Sequence, residues 1–571
     1  MAQSNLALSW STGGVVVRAP NWIIAVRNSI PLTGLAVGAV LFSLSLTPSL
    51  LPRSILVQGI LSGCTFAVGY GLGAVLEWFW DYMQLGRLRG QAGKWFRIGV
   101  AILCIILVAL CLYQTTAWQN SVREVMGAAP VEGGHPLWVL LVALVPAFIL
   151  ILIGTIIVQG VQYVSRRLVK LVPPRIAFVA SLIIVGIVTA TLFNGVLLRG
   201  ALRSADAFFE RLDTVAGRFG TAPTNPLSSG SAASLVPWDT IGRDGRIYVE
   251  TGPSQADIAQ AIGRPALEPL RVYVGMRSAP TVEERAQLAL DEMLRVGAFD
   301  RSVLVIITPV GTGWVDPPGI DSLEFLLAGD VSSVSMQYSY LTSPLSLVVE
   351  PEYGTEAAQA LFNAVYGYWT AMPPDARPKL YLNGLSLGAH ASQSSTQVFD
   401  VLADPFQGAL WVGPPFTSPI WRWATQNRQP DSPEWMPVFG NSSSIRFTIQ
   451  GDHLDMPGVP WGPLRIAFLQ YASDPVVFFE WSALYRTPDW LVGERGPDVS
   501  PALNWYPVVT FLQLGVDMAL GQTAPMGHGH LYASADYVDA WYALIEPTGW
   551  DEASLDALKV ILAARPRPLS S

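Results

Sequence analysis

The chain has 571 residues, of which 51% are hydrophobic and only 14% charged, against roughly 25% charged in soluble proteins. Mean hydropathy is +0.37, which points to a membrane, and a net charge of -8 excludes the basic surface that nucleic-acid phosphates require. Its 43 Pro and 51 Gly are scattered rather than periodic, so collagen-like arrays, coiled coils and wholesale disorder fit poorly. The three cysteines, Cys64, Cys104 and Cys111, lie in the first fifth of the chain. That excludes a disulfide framework, a thiolate metal cluster or a catalytic cysteine in the remainder.

Five apolar stretches, 30–52, 54–76, 98–118, 137–161 and 176–198, approach the roughly 20 helical residues that a bilayer core demands. They define an expected membrane region over residues 1–200. The first is too long for a signal peptide, lacks a small-residue cleavage site, and is followed at once by another apolar run. Arg18 and Arg27 precede the first span, and Arg87, Arg89, Lys94 and Arg97 lie between the second and third. Arg166, Arg167, Lys170 and Arg175 lie between the fourth and fifth, whereas the opposite loops hold only Arg53 and Arg123. Cationic loops stay inside, so the N-terminus is expected in the cytoplasm and everything after Leu198 at the outer face of the cytoplasmic membrane. Arg199 and Arg203 are discordant. Glu77, in an aromatic-rich helix end (Trp78, Phe79, Trp80), reads as an interfacial charge rather than a transport site, so the spans read as an anchor.

Residues 201–219 alternate charged and apolar positions at helical spacing, and 221–237 are rich in Pro, Ser, Gly and Ala, so 201–237 read as a stalk helix and linker. From 238 to 571 the pattern is that of an α/β domain. Strands are expected at 270–274, 303–308, 331–338, 379–383, 408–412, 445–450 and 465–470, and helices at 281–296 and 355–371. This alternation implies right-handed crossovers and a mainly parallel sheet.

The sharpest local signal is Gly384-Leu385-Ser386-Leu387-Gly388, which follows an expected strand and opens a small-residue helix. This is the nucleophile-elbow pattern: glycines clear space around a serine on a tight turn, and the helix start aims N–H groups at a developing oxyanion. Such a serine requires an acid and then a histidine later in the chain. Asp474 ends the strand 465–470 region, and Gly527-His528-Gly529-His530 opens the last helical region. Ser386, Asp474 and His530 are therefore the expected triad, with His528 an alternative base. Leu387 supplies one oxyanion N–H, and the Gly311-Thr312-Gly313 turn after an early strand supplies the second, with the Thr312 hydroxyl able to help. That turn lacks the Lys and Ser/Thr of a phosphate-binding loop. His390, one helical turn after Ser386, reads as packing, and His453 as a surface turn. No motif calls for a cofactor, and a metal site built from His528 and His530 with Asp452, His453 or Asp455 lacks a compact ligand motif.

Thr308-Pro-Val-Gly-Thr-Gly-Trp314, Gln337-Tyr-Ser-Tyr340, Gly384-Leu-Ser-Leu-Gly388, Gly413-Pro-Pro-Phe416, 469–475 and Gly527-His-Gly-His530 together resemble a bacterial family of membrane-anchored α/β-hydrolases. The resemblance covers nearly the whole chain and implies the fold, with little about substrate. More distantly, the Gly311-Thr312 loop and His530-Leu531-Tyr532 resemble cutinases, which implies ester substrates with acyl chains. Unlike cutinases, the chain has a long insertion, 478–522, rich in Trp and aliphatics, which with 411–437 suits a membrane-facing lid. The expectation is an α-helical transmembrane bundle followed by an α/β-hydrolase domain that cleaves lipid or other acyl esters, or transfers their acyl groups. A catalytically silent hydrolase-fold interaction protein is the rival reading.

Overall fold

A computed structural model of the protein describes residues 31–88, 90–133, 135–194, 211, 213, 220–341, 351–395 and 403–567. They fall into two compact units. The first comprises the chain to Pro48, Arg53–Asn120 and Pro130–Gly186, and the second Ser49–Pro52, Ser121–Ala129 and Ile187 onward. Most of the expected stalk at 201–219, with Arg199 and Arg203, lies outside the described residues, as do Arg18 and Arg27.

The first unit is built from helices α1 (Leu32–Ser45), α2 (Ile55–Tyr82), α3 (Gly90–Val125), α4 (Pro136–Leu168) and α5 (Pro174–Thr191). Among the described residues four helices are long and apolar enough to cross a membrane: α2, α3, α4 and the stretch Pro174–Asn194 that begins with α5. Five spans were expected, and α1 is the correction. Its 14 residues rise about 21 Å at 1.5 Å each, short of the roughly 30 Å hydrocarbon core. Pro48 keeps it from continuing, because it lacks the N–H that would reach back to Leu44 and biases Thr47 out of the helical region. Large apolar side chains such as Leu103, Ile105, Leu141 and Phe148 face outward, whereas Ser45, Gln58 and Ser62 are buried. The Ser45 hydroxyl donates to Ser62 at 2.8 Å, and the Gln58 amide to the Ser45 carbonyl at 2.9 Å. Apolar outside and polar inside is the arrangement expected in lipid.

The second unit holds a seven-stranded sheet in the order β1-β3-β2-β4-β5-β7-β6, with every pairing parallel. The strands are β1 (Leu270–Val274), β2 (Val303–Thr308), β3 (Val331–Met336), β4 (Lys379–Leu385), β5 (Gly408–Val412), β6 (Ile445–Thr448) and β7 (Arg465–Leu469). All seven lie where the sequence places them, within two residues at each end. Helices on both faces explain why the strands read as continuous apolar runs rather than alternating ones. In chain order these include α6 (Arg243–Glu250), α7 (Val282–Val296), α8 (Pro317–Leu326), α9 (Pro351–Ala371), α10 (Leu387–Ser395), α11 (Pro419–Gln426), α12 (Val509–Ala519) and α13 (Ser534–Ile545). Helix α7 starts at a Thr281–Glu284 capping box and stops at the left-handed Gly297, as its acids-first, Arg-last charge pattern suggests.

Two features depart from a simple linker-plus-domain picture. The stretch before residue 238 packs onto the sheet domain: Val236 is fully buried in its core, and Glu292 accepts from the Leu235 N–H at 2.9 Å and the Ser234 hydroxyl at 2.6 Å. Leu50, Leu51, Val122 and Met126, from two distant segments, also belong to this core. The Leu50 N–H donates to Asp517 on α12 at 3.1 Å, the Ser49 hydroxyl donates to the same carboxylate, and the Ser121 and Ser500 hydroxyls lie 2.8 Å apart.

Candidate active site

The strand order sends the chain leftward after β2 and rightward after β4, so the carboxyl ends of these neighbours open a crevice between them. That is where parallel α/β sheets place their ligands. Thr308 at the end of β2 pairs with Gly384 at the end of β4, which brings the Gly311-Thr312-Gly313 turn beside Ser386.

Ser386 has φ 54°, a left-handed conformation that costs a non-glycine residue about 1–3 kcal/mol. Its N–H is held by the Val412 carbonyl at 2.9 Å, so the turn is clamped to β5. The flanking glycines are steric necessities: a Cβ on Gly388 would lie 2.1 Å from the Thr308 carbonyl oxygen, and one on Gly384 would lie 2.5 Å from the Gly388 carbonyl carbon. Strain of this kind persists only where the surroundings over-determine it. Helix α10 begins at Leu387, whose N–H is in the first turn and has no intrahelical acceptor.

His530 and Asp474 meet at the same edge. The His530 Nδ1 lies 2.7 Å from Asp474 Oδ2, which makes Nδ1 the protonated nitrogen and leaves Nε2 its lone pair. Asp474 is fully buried and is held on both oxygens: the Tyr532 hydroxyl donates to Oδ2 at 2.6 Å and the Val476 N–H to Oδ1 at 2.8 Å. Tyr532 stacks on Tyr471 with centroids 4.4 Å apart, and burial beside Asp474 pushes its hydroxyl well above the usual phenol range, so it stays a donor. The His530 ring edge comes so close to β5 that a Cβ on Gly413 would lie 2.8 Å from Cε1. Both Ser386 and His530 are thus set against the Val412-Gly413 end of β5. No direct hydrogen bond joins the Ser386 hydroxyl to His530 in this structure; catalytic hydrogen bonds are often loose without substrate.

His528 faces elsewhere. Its Nδ1 lies 3.4 Å from Asp498, which also accepts from the Ser473 N–H at 3.1 Å, the Ser473 hydroxyl and the Gln450 amide at 2.8 Å. Ser473 in turn accepts from the Gly529 N–H at 2.8 Å. The two histidines therefore serve different carboxylates, and the His528 ring is not on Asp474. Exposed His453 lies 3.1 Å from the Gln450 carbonyl, a turn contact. His390 packs beside the elbow, where burial lowers its pKa.

The Thr312 turn corrects one expectation. Its hydroxyl donates to Asp244 on α6, so the side chain is committed away from the crevice. The Gly313 N–H closes the turn onto Val310 at 2.7 Å, and the Gly311 N–H donates to the Tyr338 hydroxyl at 3.0 Å. The Thr312 carbonyl accepts from Gln337 at 2.8 Å, and the Gly313 carbonyl from Tyr273 at 2.6 Å. What the turn has left to offer is the Thr312 N–H. Burial pushes the Asp244 carboxyl up to about 6 despite the Thr312 hydrogen bond, with Asp213 adding repulsion.

The insertion after Asp474 is neither wholly core nor wholly lid. Phe478 and Trp490 are buried, whereas Trp481 and Tyr485 are 68% and 72% exposed, and Trp423 on α11 is also exposed. Tyr532, Asp244, Ser473 and Asp498 were not singled out from the sequence as site residues. Tyr532 stood beside His530 in a quoted motif, but Asp244 and Asp498 lie in polar stretches with no distinguishing pattern.

A parallel sheet with this switch point, carrying a serine on a strand-turn-helix elbow and a His–Asp pair beyond it, defines an α/β-hydrolase fold. A family model described as the alpha/beta-hydrolase family matches residues 270–558, and one for that family's N-terminus matches 46–253. The chain belongs to the alpha/beta-hydrolase family. No curated protein and no solved structure matches it.

Proposed function

We propose that the protein is a membrane-anchored serine hydrolase that cleaves carboxylic esters of lipids or other acylated apolar compounds. The observation that carries this reading is the 2.7 Å His530–Asp474 contact at the edge where Ser386 is held in a strained elbow. Ser386 Oγ attacks the acyl carbonyl as His530 Nε2 takes its proton. Asp474 holds the ring and balances the imidazolium, with Tyr532 and the Val476 N–H keeping the carboxylate in place. The Leu387 and Thr312 N–H groups receive the oxyanion. His530 returns its proton to the leaving alcohol, and a water activated by the same nitrogen then cleaves the acyl-enzyme. An alcohol in place of that water makes the reaction acyl transfer.

The outer-face location is supported by an argument that does not depend on α1. With the basic connections α2–α3 and α4–α5 inside, the segments 49–52 and 121–129 and everything after α5 fall outside. The second compact unit consists of these segments together with the end of α5 from Ile187.

The test is fluorophosphonate labelling of the detergent-solubilised protein beside Ser386→Ala, followed by p-nitrophenyl ester hydrolysis across acyl lengths. Labelling of the parent alone, with turnover that rises with acyl length, is expected. Absence of labelling in both overturns the reading in favour of a silent hydrolase-fold domain.

A further inference from the structure

His530 is gripped through its backbone as well as its ring. Its N–H donates to the Gly521 carbonyl at 3.0 Å, and a Cβ on Gly521 would lie 3.0 Å from the His530 Cβ. With Gly413 against Cε1 of the ring, the side chain is bracketed between two glycines, and where Gly521 sits decides where Nε2 sits. Gly521 comes directly after the last turn of α12, which closes with the Leu520 N–H on the Asp517 carbonyl at 2.9 Å.

Helix α12 is tied down in turn by residues from far away in the chain. Asp517 is fully buried, and its side chain accepts from the Ser49 hydroxyl and from the Leu50 N–H, the latter at 3.1 Å. A buried carboxylate is costly without such donors, so this end of α12 is held where the 49–50 backbone puts it. The next residue, Leu51, is 1% exposed and reaches the histidine loop itself. Gly529, the residue before His530, has φ 58°, and a Cβ there would lie 2.7 Å from the Ala524 Cβ, 3.0 Å from the Gly521 carbonyl oxygen and 3.1 Å from Leu51 Cδ2. Leu51, Gly521 and Ala524 thus wall in the peptide that carries the base. All of these residues belong to the second compact unit, although 49–51 stand between α1 and α2 in the chain.

We propose that residues 49–51 are a positioning element for the base of the triad, acting on His530 through Asp517 and through Leu51. This rests on the serine-hydrolase reading and deepens it: the connection between α1 and α2 does more than tether, because it supplies part of the seat of the histidine. Misplacing a reacting group by about 1 Å costs about 10^2-fold in rate. Such an error leaves ground-state binding alone, so it shows in kcat rather than in KM.

The experiment measures the fluorophosphonate labelling rate, and kcat and KM for a p-nitrophenyl ester, on full-length detergent-solubilised variants. Leu51→Ala and Asp517→Ala should each lower the labelling rate and kcat at least tenfold with KM within twofold of the parent, and Leu51→Met, which refills the space, should recover to within threefold. Val122→Ala, from the other early segment in the same core, is the control for lost packing: with a comparable fall in melting temperature it should keep the parent's rates within threefold. If Leu51→Ala or Asp517→Ala does not fold, Leu51→Val and Ser49→Ala carry the same comparison, with kcat expected to fall about threefold below that of Val122→Ala. A labelled parent whose Leu51 and Asp517 or Ser49 variants react as fast as Val122→Ala, or lose activity through KM instead of kcat, overturns this proposal alone. A parent that does not label at Ser386 overturns the serine-hydrolase reading and this proposal with it.

Discussion

The inner and outer faces of the loop 527–532 carry the same residue pair and do different things with it. On the inner face His530 is 6% exposed and 2.7 Å from a carboxylate that accepts only from groups that fix it. On the outer face His528 is more open and 3.4 Å from Asp498, whose stronger partners are Ser473 and Gln450. Asp498 positions backbone: it holds Ser473, and Ser473 holds the Gly529 N–H, between the two histidines and next to Asp474. A histidine and an aspartate are therefore not enough to identify a base; the imidazole must be the carboxylate's principal charge partner and must face the nucleophile.

The largest test of this contrast is a pair of alanine variants. His530→Ala should lower ester turnover by about 10^4-fold, the scale of losing one member of a serine triad, whereas His528→Ala should stay within about tenfold of the parent. Comparable losses in both would erase the distinction. The outer pair should show itself in stability: Asp498→Asn places a donor against the Ser473 and Gln450 groups, and chemical denaturation should register a loss of about 1–3 kcal/mol.

Asp244 gives the same contrast a pH axis, as a buried carboxyl with a hydroxyl partner and no base. Its folded pKa of about 6 lies above the roughly 3.9 of an unfolded aspartate, so the folded state holds the proton longer. Below about pH 4 both states are neutral at this group; stability then falls as pH rises to about 6, and the loss is complete above it. Asp244→Asn removes that fall, and the variant should gain on the order of 2 kcal/mol over the parent at pH 8 and little at pH 4. A constant difference across that range would show that Asp244 does not titrate as its burial implies. The smallest effect belongs to Tyr532→Phe, which removes one donor from Asp474: turnover should drop about tenfold, on the scale of 1.5 kcal/mol for a hydrogen bond to a charged group, with KM unchanged.

The strands were legible because a two-sided parallel sheet writes itself as short apolar runs, and β1, β2 and β5 begin and end where those runs do. The elbow was legible because its tight turn sets Gly384 against the Gly388 backbone and Gly388 against the Thr308 carbonyl of the neighbouring strand, so that both needs for a missing side chain fall within five residues. The choice between His528 and His530 was not, since they stand two residues apart in one Gly-His-Gly-His run, and what separates them is the turn at the left-handed Gly529 and the positions of Asp474 and Asp498, contributed from elsewhere. The Thr312 hydroxyl was misjudged for the same reason: its partner lies 68 residues upstream, and polarity alone does not reveal which way a hydroxyl turns. The first expected span failed because hydropathy counts residues and does not see Pro48 ending a helix after Ser45.

The placement of Leu50, Leu51, Val122 and Met126 in the core of the sheet domain bears on how the chain comes to be folded. The hydrogen bond from Leu50 to Asp517 joins residues 467 apart, so the domain's core is assembled from segments far apart in the polypeptide. Such closures are entropically expensive and form late. Residues 49–51 must wait for Asp517 to be synthesised before they find their places, and a fragment starting at Trp238 would lack five of the side chains that fill its interior, Leu50, Leu51, Val122, Met126 and Val236.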